Sequence, residues 1–350
     1  TLSKPFDLRG GDAIARIGCS IGSTVFADAV QTGSEIFRQA DVALYEAKTS
    51  GRGCLVEYKP CLDHRVEARE SLKKDLRLVL QDQDRDPQLT DDRRQHEAGH
   101  LEVFFQGVHR ADPGGEMSGA EALVRWRHPS HGLLTPDKFL PLAEEAAMMD
   151  QLGEWVLTHA ALAAADWPAD MSVAVNVSPS QIRHRGFDER VLSILSKTGL
   201  APSRLELELT EAAFFTIDEQ VQATLGRLRL SGVRIVLDDF GTGFSSLSHL
   251  IQLNIDRIKI DRSFVSLLGA KAEGAAIVSA ILCLSRTLGK ATTAEGVETE
   301  GQRDFLIAAG CHDLQGFLLS RPVSSAEFNS SIPLADKKSV AGPQALPVSM

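Results

Sequence analysis

Between about residues 101 and 330, short apolar runs alternate with longer segments whose apolar residues recur at helical spacing. That alternation confines this part of the chain to an α/β fold. Strands are expected at 102–106, 119–125, 171–177, 204–209, 233–238, 256–260, 291–295 and 312–316, with helices between most of them. Eight strands over a span near the roughly 250 residues of a (β/α)8 barrel predict a TIM-like barrel. Gly114-Gly115 between the first two runs reads as a hairpin, so one strand is expected to run antiparallel. Thr135-Pro136 reads as a helix start with a cap and a first-turn proline. Leu152, Val156 and Ala160 mark the buried stripe of the following helix.

The polar residues on these strands carry the chemistry. Ile235-Val236-Leu237 reads as a buried strand, and Asp238 and Asp239 stand where it should end, just before Gly241-Thr242-Gly243. Side chains alternate along a strand, so neighbouring aspartates converge only where the strand breaks. One Asp would read as a helix cap; two acids followed by two glycines exceed what a cap requires. Glu121 lies on the second strand, Asn176 ends the third, Glu208 lies near the end of the fourth and Lys259 ends the sixth. Glu295 belongs to the seventh and Gln315 to the last. In a barrel these C-terminal strand ends meet at one mouth. Acids placed there make sense if cations neutralise them, and oxygen ligands suit Mg²⁺ or Mn²⁺ rather than zinc. Two such ions about 3.5–4 Å apart would bind both sides of a phosphodiester and acidify a bridging water. Lys259 could hold that hydroxide or offset phosphate charge, so phosphodiester hydrolysis is expected.

Net charge is -10, which argues against a general binder of duplex nucleic acid. Cys19, Cys54, Cys61, Cys283 and Cys311 form no CxxC pair, fitting reduced thiols in the cytoplasm. No apolar run approaches the roughly 20 residues of a membrane span, and an upstream membrane anchor is left open.

Seven motifs in order, AEALVRWRHP, NVSPSQ, ELELTE, LDDFGTGFSSL, IKIDRSFV, AEGVETE and QGFLLSRP, resemble those of the EAL domain. The resemblance implies hydrolysis of cyclic di-GMP to linear pGpG with two Mg²⁺ or Mn²⁺ ions. It implies that Glu121, Asn176, Glu208 and Asp238 bind one metal, and that Asp238 bridges to a second held by Asp239 and Glu295. Lys259 would orient the attacking water. Gln106, Leu123, Arg125 and Gln315 would contact substrate, Arg125 through a phosphate. Glu211 would join the catalytic set by anchoring the loop after Asp239 and coupling it to a homodimer contact. CSIGSTVF, ADVALYEAKTSGRG and CLVEY resemble the last part of a GGDEF domain, whose signature loop the sequence lacks; Gly10-Gly11-Asp12 lies too close to Ser20 to serve. The expected organisation is a GGDEF fragment over 1–60, a helical linker and polar insertion over 61–100, an EAL domain over 101–330 and a disordered tail over 331–350.

Plainer readings compete at several positions. Glu206 shares a strand face with Glu208 and rivals it as a ligand; Arg125 could be a rim ion pair. Glu298 and Glu300 read as helix-start acids, Asp261 as a turn cap and His128 as structural. Two departures from the family pattern stand out: Phe105-Gln106-Gly107 replaces Tyr-Gln-Pro, and Ala143–Met149 lacks the usual small-polar and glycine pair. The rival function is a catalytically silent cyclic di-GMP receptor acting through a protein partner.

Overall fold

The computed structural model describes residues 6–8, 13–15, 17–26, 32–82, 98–214, 218–241, 254–269 and 272–332. Two compact units divide the chain, 1–78 and 79–350. In the first, β1 (Phe6–Leu8) pairs antiparallel with β2 (Ala13–Ala15), and β3 (Ile21–Ser23) pairs parallel with β4 (Leu55–Glu57). Residues 17–20, between β2 and β3, form no strand. Helix Gly33–Thr49 is N-capped by Thr32, whose hydroxyl accepts from Glu35 N–H at 3.3 Å. The helix buries Gln39, Ala43 and Ala47. Helix Pro60–Asp82 follows, with Leu76 and Leu80 buried. Most of the polar insertion, 83–97, and the tail from 333 lie outside the described residues.

The second unit is the barrel. Its strands are β5 (His100–Arg110), β6 (Met117–His128), β7 (Gly132–Leu134), β8 (Ser172–Asn176), β9 (Leu205–Thr210), β10 (Arg234–Phe240), β11 (Arg257–Ile260), β12 (Ala291–Ala294), β13 (Asp313–Leu314) and β14 (Val323–Ser324). Eight of them close into a ring, β5–β6–β8–β9–β10–β11–β12–β13, with β7 and β14 added outside it. Every neighbouring pair in the ring is parallel except those of β5, which runs antiparallel to both β6 and β13. The hairpin between β5 and β6 turns at Asp112, whose Oδ1 accepts from the Gly114 and Gly115 N–H groups at 2.9 Å.

The sequence Leu-Glu-Leu-Glu-Leu-Thr of β9 explains how one strand serves both core and site. Successive side chains take opposite faces. Leu205, Leu207 and Leu209 are buried on one face, and Glu206 and Glu208, also buried, on the other. The apolar packing thus lies between strands and helices, while the barrel axis carries polar groups. Outside, helix Pro136–Glu145 buries Phe139, Leu142 and Ala143, and helix Met149–Ala165 buries Leu152, Val156 and Ala160 among others. Thr135 precedes Pro136 but does not cap through its side chain; its hydroxyl donates to the Asp137 carboxylate instead. Ala147, between these helices, holds φ +52°, a left-handed conformation that ordinarily favours glycine. Among the described residues no helix is long and apolar enough to cross a membrane.

Candidate active site

Sequence periodicity placed the aspartate pair at a strand end. The structure instead carries β10 past both of them to Phe240 and bends it there. Its register to β11 shifts between Leu237 and Phe240, and Asp239 takes φ +54°. Asp tolerates this region better than most residues. The kink cancels the alternation of side chains, so Asp238, Asp239 and Glu295 offer carboxylate oxygens that all lie within 4.8 Å of one another. Thr242 to Ser246 lie outside the described residues.

Lys259 stands at the centre. Its Nζ lies 2.9 Å from Glu208 Oε2, 2.5 Å from Glu295 Oε1, and 3.4 Å from both Glu121 Oε2 and Asp238 Oδ1. Asn176 donates to Glu121 Oε1 at 2.7 Å, and Gln315 donates to Glu121 Oε2 at 2.8 Å and to Gln106 Oε1 at 3.2 Å. Gln106 in turn donates to the Ser320 carbonyl at 3.0 Å. Glu295 and Gln315 each sit one residue beyond their strand, held by N–H bonds to the Ile260 and Ala294 carbonyls. Burial alone would lower the Lys259 pKa, but Glu121, Glu208, Glu295 and Asp238 hold it well above its ordinary value. Burial raises Glu208 well above the carboxylate range, aided by Glu121, Asp238 and Glu295, and burial with Asp238 and Glu121 pushes Glu295 up to about 7. Glu121 stays below its ordinary value, because Lys259, Gln315 and Asn176 together outweigh its burial. Burial and Asp238 also raise Asp239.

A second ionic layer further down the barrel axis gives the contrast that decides what this first layer needs. There Arg257 meets Asp313 and, at 3.4 Å, Glu206; Arg234 meets Glu206 at 3.0 Å. Ser118 and Ser172 donate to Asp313 and Glu206. Two acids face two guanidiniums, and the layer is neutral. At the mouth, four carboxylates share one ammonium, an excess of three negative charges before Asp239 is added. One divalent cation could not neutralise it. The donors are carboxylate oxygens with one amide, which suit hard cations of the Mg²⁺ type, and the residues therefore fit a two-cation site. Glu206, the rival of Glu208, belongs to the neutral layer.

The other candidates fall in different places. Glu211 is buried and its Oε2 accepts from Gly241 N–H at 2.8 Å, two residues beyond Asp239; its Oε1 has no hydrogen-bond partner among the described residues. Leu123 and Arg125 extend the Glu121 face of β6, outside the lining of the cleft at the mouth. Arg125 is half-buried, donates to the Val124 carbonyl and stands 5.6 Å from the Phe104 ring centroid, with no ion pair among the described residues. Asp261 caps helix Arg262–Val265 through Ser263 N–H. His128 is buried edge-on to Trp126 and accepts from Ser130 N–H. Glu300 is the first residue of helix Glu300–Ala308, whereas Glu298 precedes the Thr299 cap and lines the cleft.

That cleft, about 230 Å³, is lined by Gln106, Glu121, Asp238, Glu295 and Gln315 and also by Arg262 and Phe317. Sequence reasoning passed over the last two. Arg262 follows directly on Asp261 and Phe317 lies two residues after Gln315, and that proximity was the available signal.

Residues 90–322 match the family described as EAL domain. The chain belongs to the EAL domain family. A Caulobacter vibrioides protein described as an uncharacterized signaling protein is 42% identical over 318 residues, 91% of this chain and 37% of the relative. The bifunctional diguanylate cyclase/cyclic di-GMP phosphodiesterase MucR of Pseudomonas aeruginosa is 39% identical over 335 residues, 95% of this chain and 46% of that protein. The chain thus spans less than half the length of either relative. Among solved structures, "PaMucR Phosphodiesterase, c-di-GMP complex" is 43% identical with a TM-score of 0.66, covering 74% of this chain and 99% of that one. An EAL barrel of this kind, closed by one antiparallel strand, is what the sequence led us to expect.

Proposed function

We propose that this EAL domain hydrolyses cyclic di-GMP to linear pGpG with two Mg²⁺ or Mn²⁺ ions. The observation that carries the reading is the charge imbalance at the mouth, where buried carboxylates outnumber their one ammonium. Glu121, Asn176, Glu208 and Asp238 would hold one ion, and Asp238, Asp239 and Glu295 the other. When bound, such a pair of ions supplies a nucleophilic water at neutral pH and stabilises charge on the phosphoryl oxygens. The protein supplies placement. Lys259, kept protonated by its neighbours, presents N–H donors to that water. Gln315 and Asn176 fix both oxygens of Glu121, and Gln106 holds Gln315 in turn. Glu211 acts as a positioning residue, tying Gly241 beside the aspartates. Arg125 and Leu123 would meet the substrate above the ions. The names of the relatives, one a cyclic di-GMP phosphodiesterase and one solved as a c-di-GMP complex, support the substrate.

The test is product analysis after incubation with cyclic di-GMP and Mg²⁺ or Mn²⁺, beside Glu121→Ala and Asp238→Asn. We expect pGpG from the unaltered protein with metal, and a loss of at least about 10³-fold in either variant with the fold retained. Activity persisting in a variant would overturn the ligand assignment; binding without product would make the protein a receptor. The reading extends to a cytoplasmic homodimer through the barrel and to residues 1–60 as the end of a GGDEF domain. The helix packed on β3 and β4 in the first unit supports the latter.

A further inference from the structure

Asn176 is the one exposed residue among those assigned to the cations. Its side chain donates to Glu121 Oε1 at 2.7 Å, and no packed surroundings fix it further, so its place depends on the backbone that carries it. Asn176 ends β8, and the chain turns at once into helix Pro179–Arg183. Five residues cannot sustain a helix by themselves, so this turn needs outside support. Val177 N–H donates to the Glu208 carbonyl at 2.9 Å. Ser178 and Gln181 then close a capping box, in which Ser178 N–H donates to Gln181 Oε1 at 2.9 Å and Gln181 N–H to Ser178 Oγ at 3.4 Å. Gln181 is only 6% exposed, because its amide presses against Gly153 in helix Met149–Ala165. A Cβ added at Gly153 would lie 1.6 Å from Gln181 Nε2 and 2.6 Å from its Cδ. Glycine is among the poorest residues inside a helix, yet here any side chain would displace the amide and with it the acceptor of Ser178 N–H. Asn176, Gly153 and Gln181 border one narrow cavity between this helix and β8.

Resting on the two-cation reading above, we propose that Gly153 and Gln181 are positioning residues for the cation site. Gly153 seats the Gln181 amide, the amide fixes the turn after β8, and the turn aims Asn176 at the ion it shares with Glu121. Neither residue lines the cleft at the mouth, so both act through Asn176. An amide ligand brings no charge to hold an ion, and its contribution rests on geometry alone. Loss of the seat has a second consequence: Asn176 releases Glu121 Oε1, and Glu121 is then held through Oε2 by Gln315 and Lys259. Groups that orient metal ligands typically change metal affinity about 10- to 100-fold when removed. A capping box that served only the short helix would change stability and leave cation affinity alone.

Mn²⁺ titrations followed by loss of the free-ion electron paramagnetic resonance signal test the proposal, with melting curves in EDTA as a check that each variant folds. Gln181→Ala and Gly153→Ala should each raise the Mn²⁺ concentration at half-saturation about tenfold, while kcat at saturating Mn²⁺ changes little. The double variant should show a rise of about tenfold rather than about a hundredfold, because both substitutions remove the same contact. Ser324→Ala, which removes the capping box of helix Ser325–Ser331 outside the lining of the cleft, should lower the midpoint in EDTA without moving half-saturation. If the unaltered protein binds Mn²⁺ and the Gly153 and Gln181 variants bind it as tightly, or if Ser324→Ala weakens binding as much as they do, the positioning role is wrong and the two-cation reading stands. Additive losses in the double variant would overturn the seat, since the two residues would then act separately. If the unaltered protein takes up no Mn²⁺, both readings fall.

Discussion

Glu208 is the residue whose environment most contradicts its charge. It is almost fully buried, shares Lys259 with three other carboxylates, and has its pKa raised well above the usual range by burial and by those neighbours. Glu208→Gln should therefore raise the thermal midpoint of the cation-free protein near neutral pH, because the neutral amide spares the folded state the proton that the buried carboxyl must take up. The same substitution should shrink the stabilisation gained on adding Mg²⁺. Both are read from melting curves with EDTA and with Mg²⁺; a fall in the EDTA midpoint would refute the account of the cluster. Ala147 makes a smaller, independent case. At φ +52° a Cβ costs about 1–2 kcal/mol, partly offset by the greater flexibility glycine brings to the unfolded chain. Ala147→Gly should stabilise the protein by about 0.5–1 kcal/mol, measurable as a shift in urea midpoint. The sequence departure at 143–149 thus has a conformational meaning, a position shaped for glycine and filled by alanine.

At the scale of elements, strands β9, β11 and β13 each carry one residue of the neutral layer, Glu206, Arg257 and Asp313, and Arg257 joins the other two. Glu208 and Lys259, two residues further along β9 and β11, belong to the acidic layer one step above it. Breaking a buried pair leaves an uncompensated charge and costs about 3–5 kcal/mol. Arg257→Met should cost that much in denaturant unfolding, and Mg²⁺ should restore none of it, since the layer is neutral without cations. Recovery by Mg²⁺ would mean the two layers are one site. Strand β10 shows how the upper layer is made: its bend at Asp239 puts consecutive residues on one side, which a regular strand forbids.

For the whole molecule, the consequence is a stability linked to cations and to pH. Without cations the Glu295 carboxyl is pushed up to about 7 by burial and by Asp238 and Glu121, against the pull of Lys259. In the unfolded chain it would titrate near its ordinary value, roughly 4.3. Between those values the folded state binds more protons than the unfolded one, so stability should fall as pH rises from about 4.5 to 7. Glu208 and Asp239, also raised, act in the same direction. Saturating Mg²⁺ should raise the midpoint and flatten this dependence, because bound cations favour the ionised carboxylates. Calorimetric scans at several pH values with EDTA or Mg²⁺ would show it; a pH dependence indifferent to Mg²⁺ would exclude cations from the mouth.

The sequence by itself determined the barrel, its hairpin and most of the polar residues at its mouth. Local periodicity carries that information: alternation in β9 marks two buried faces, and helical spacing marks Leu152, Val156 and Ala160. Between Glu206 and Glu208, which share a face, it could favour Glu208 only for its place nearer the strand end. Only the tertiary structure sets the two apart, because Arg257 and Arg234, distant in sequence, pair with Glu206 and not with Glu208. It also put Arg262 and Phe317 into the cleft, where Gly296 and Gly316 let separate loops close on segment 295–298. Such approaches depend on atoms that are absent, and no periodicity records them.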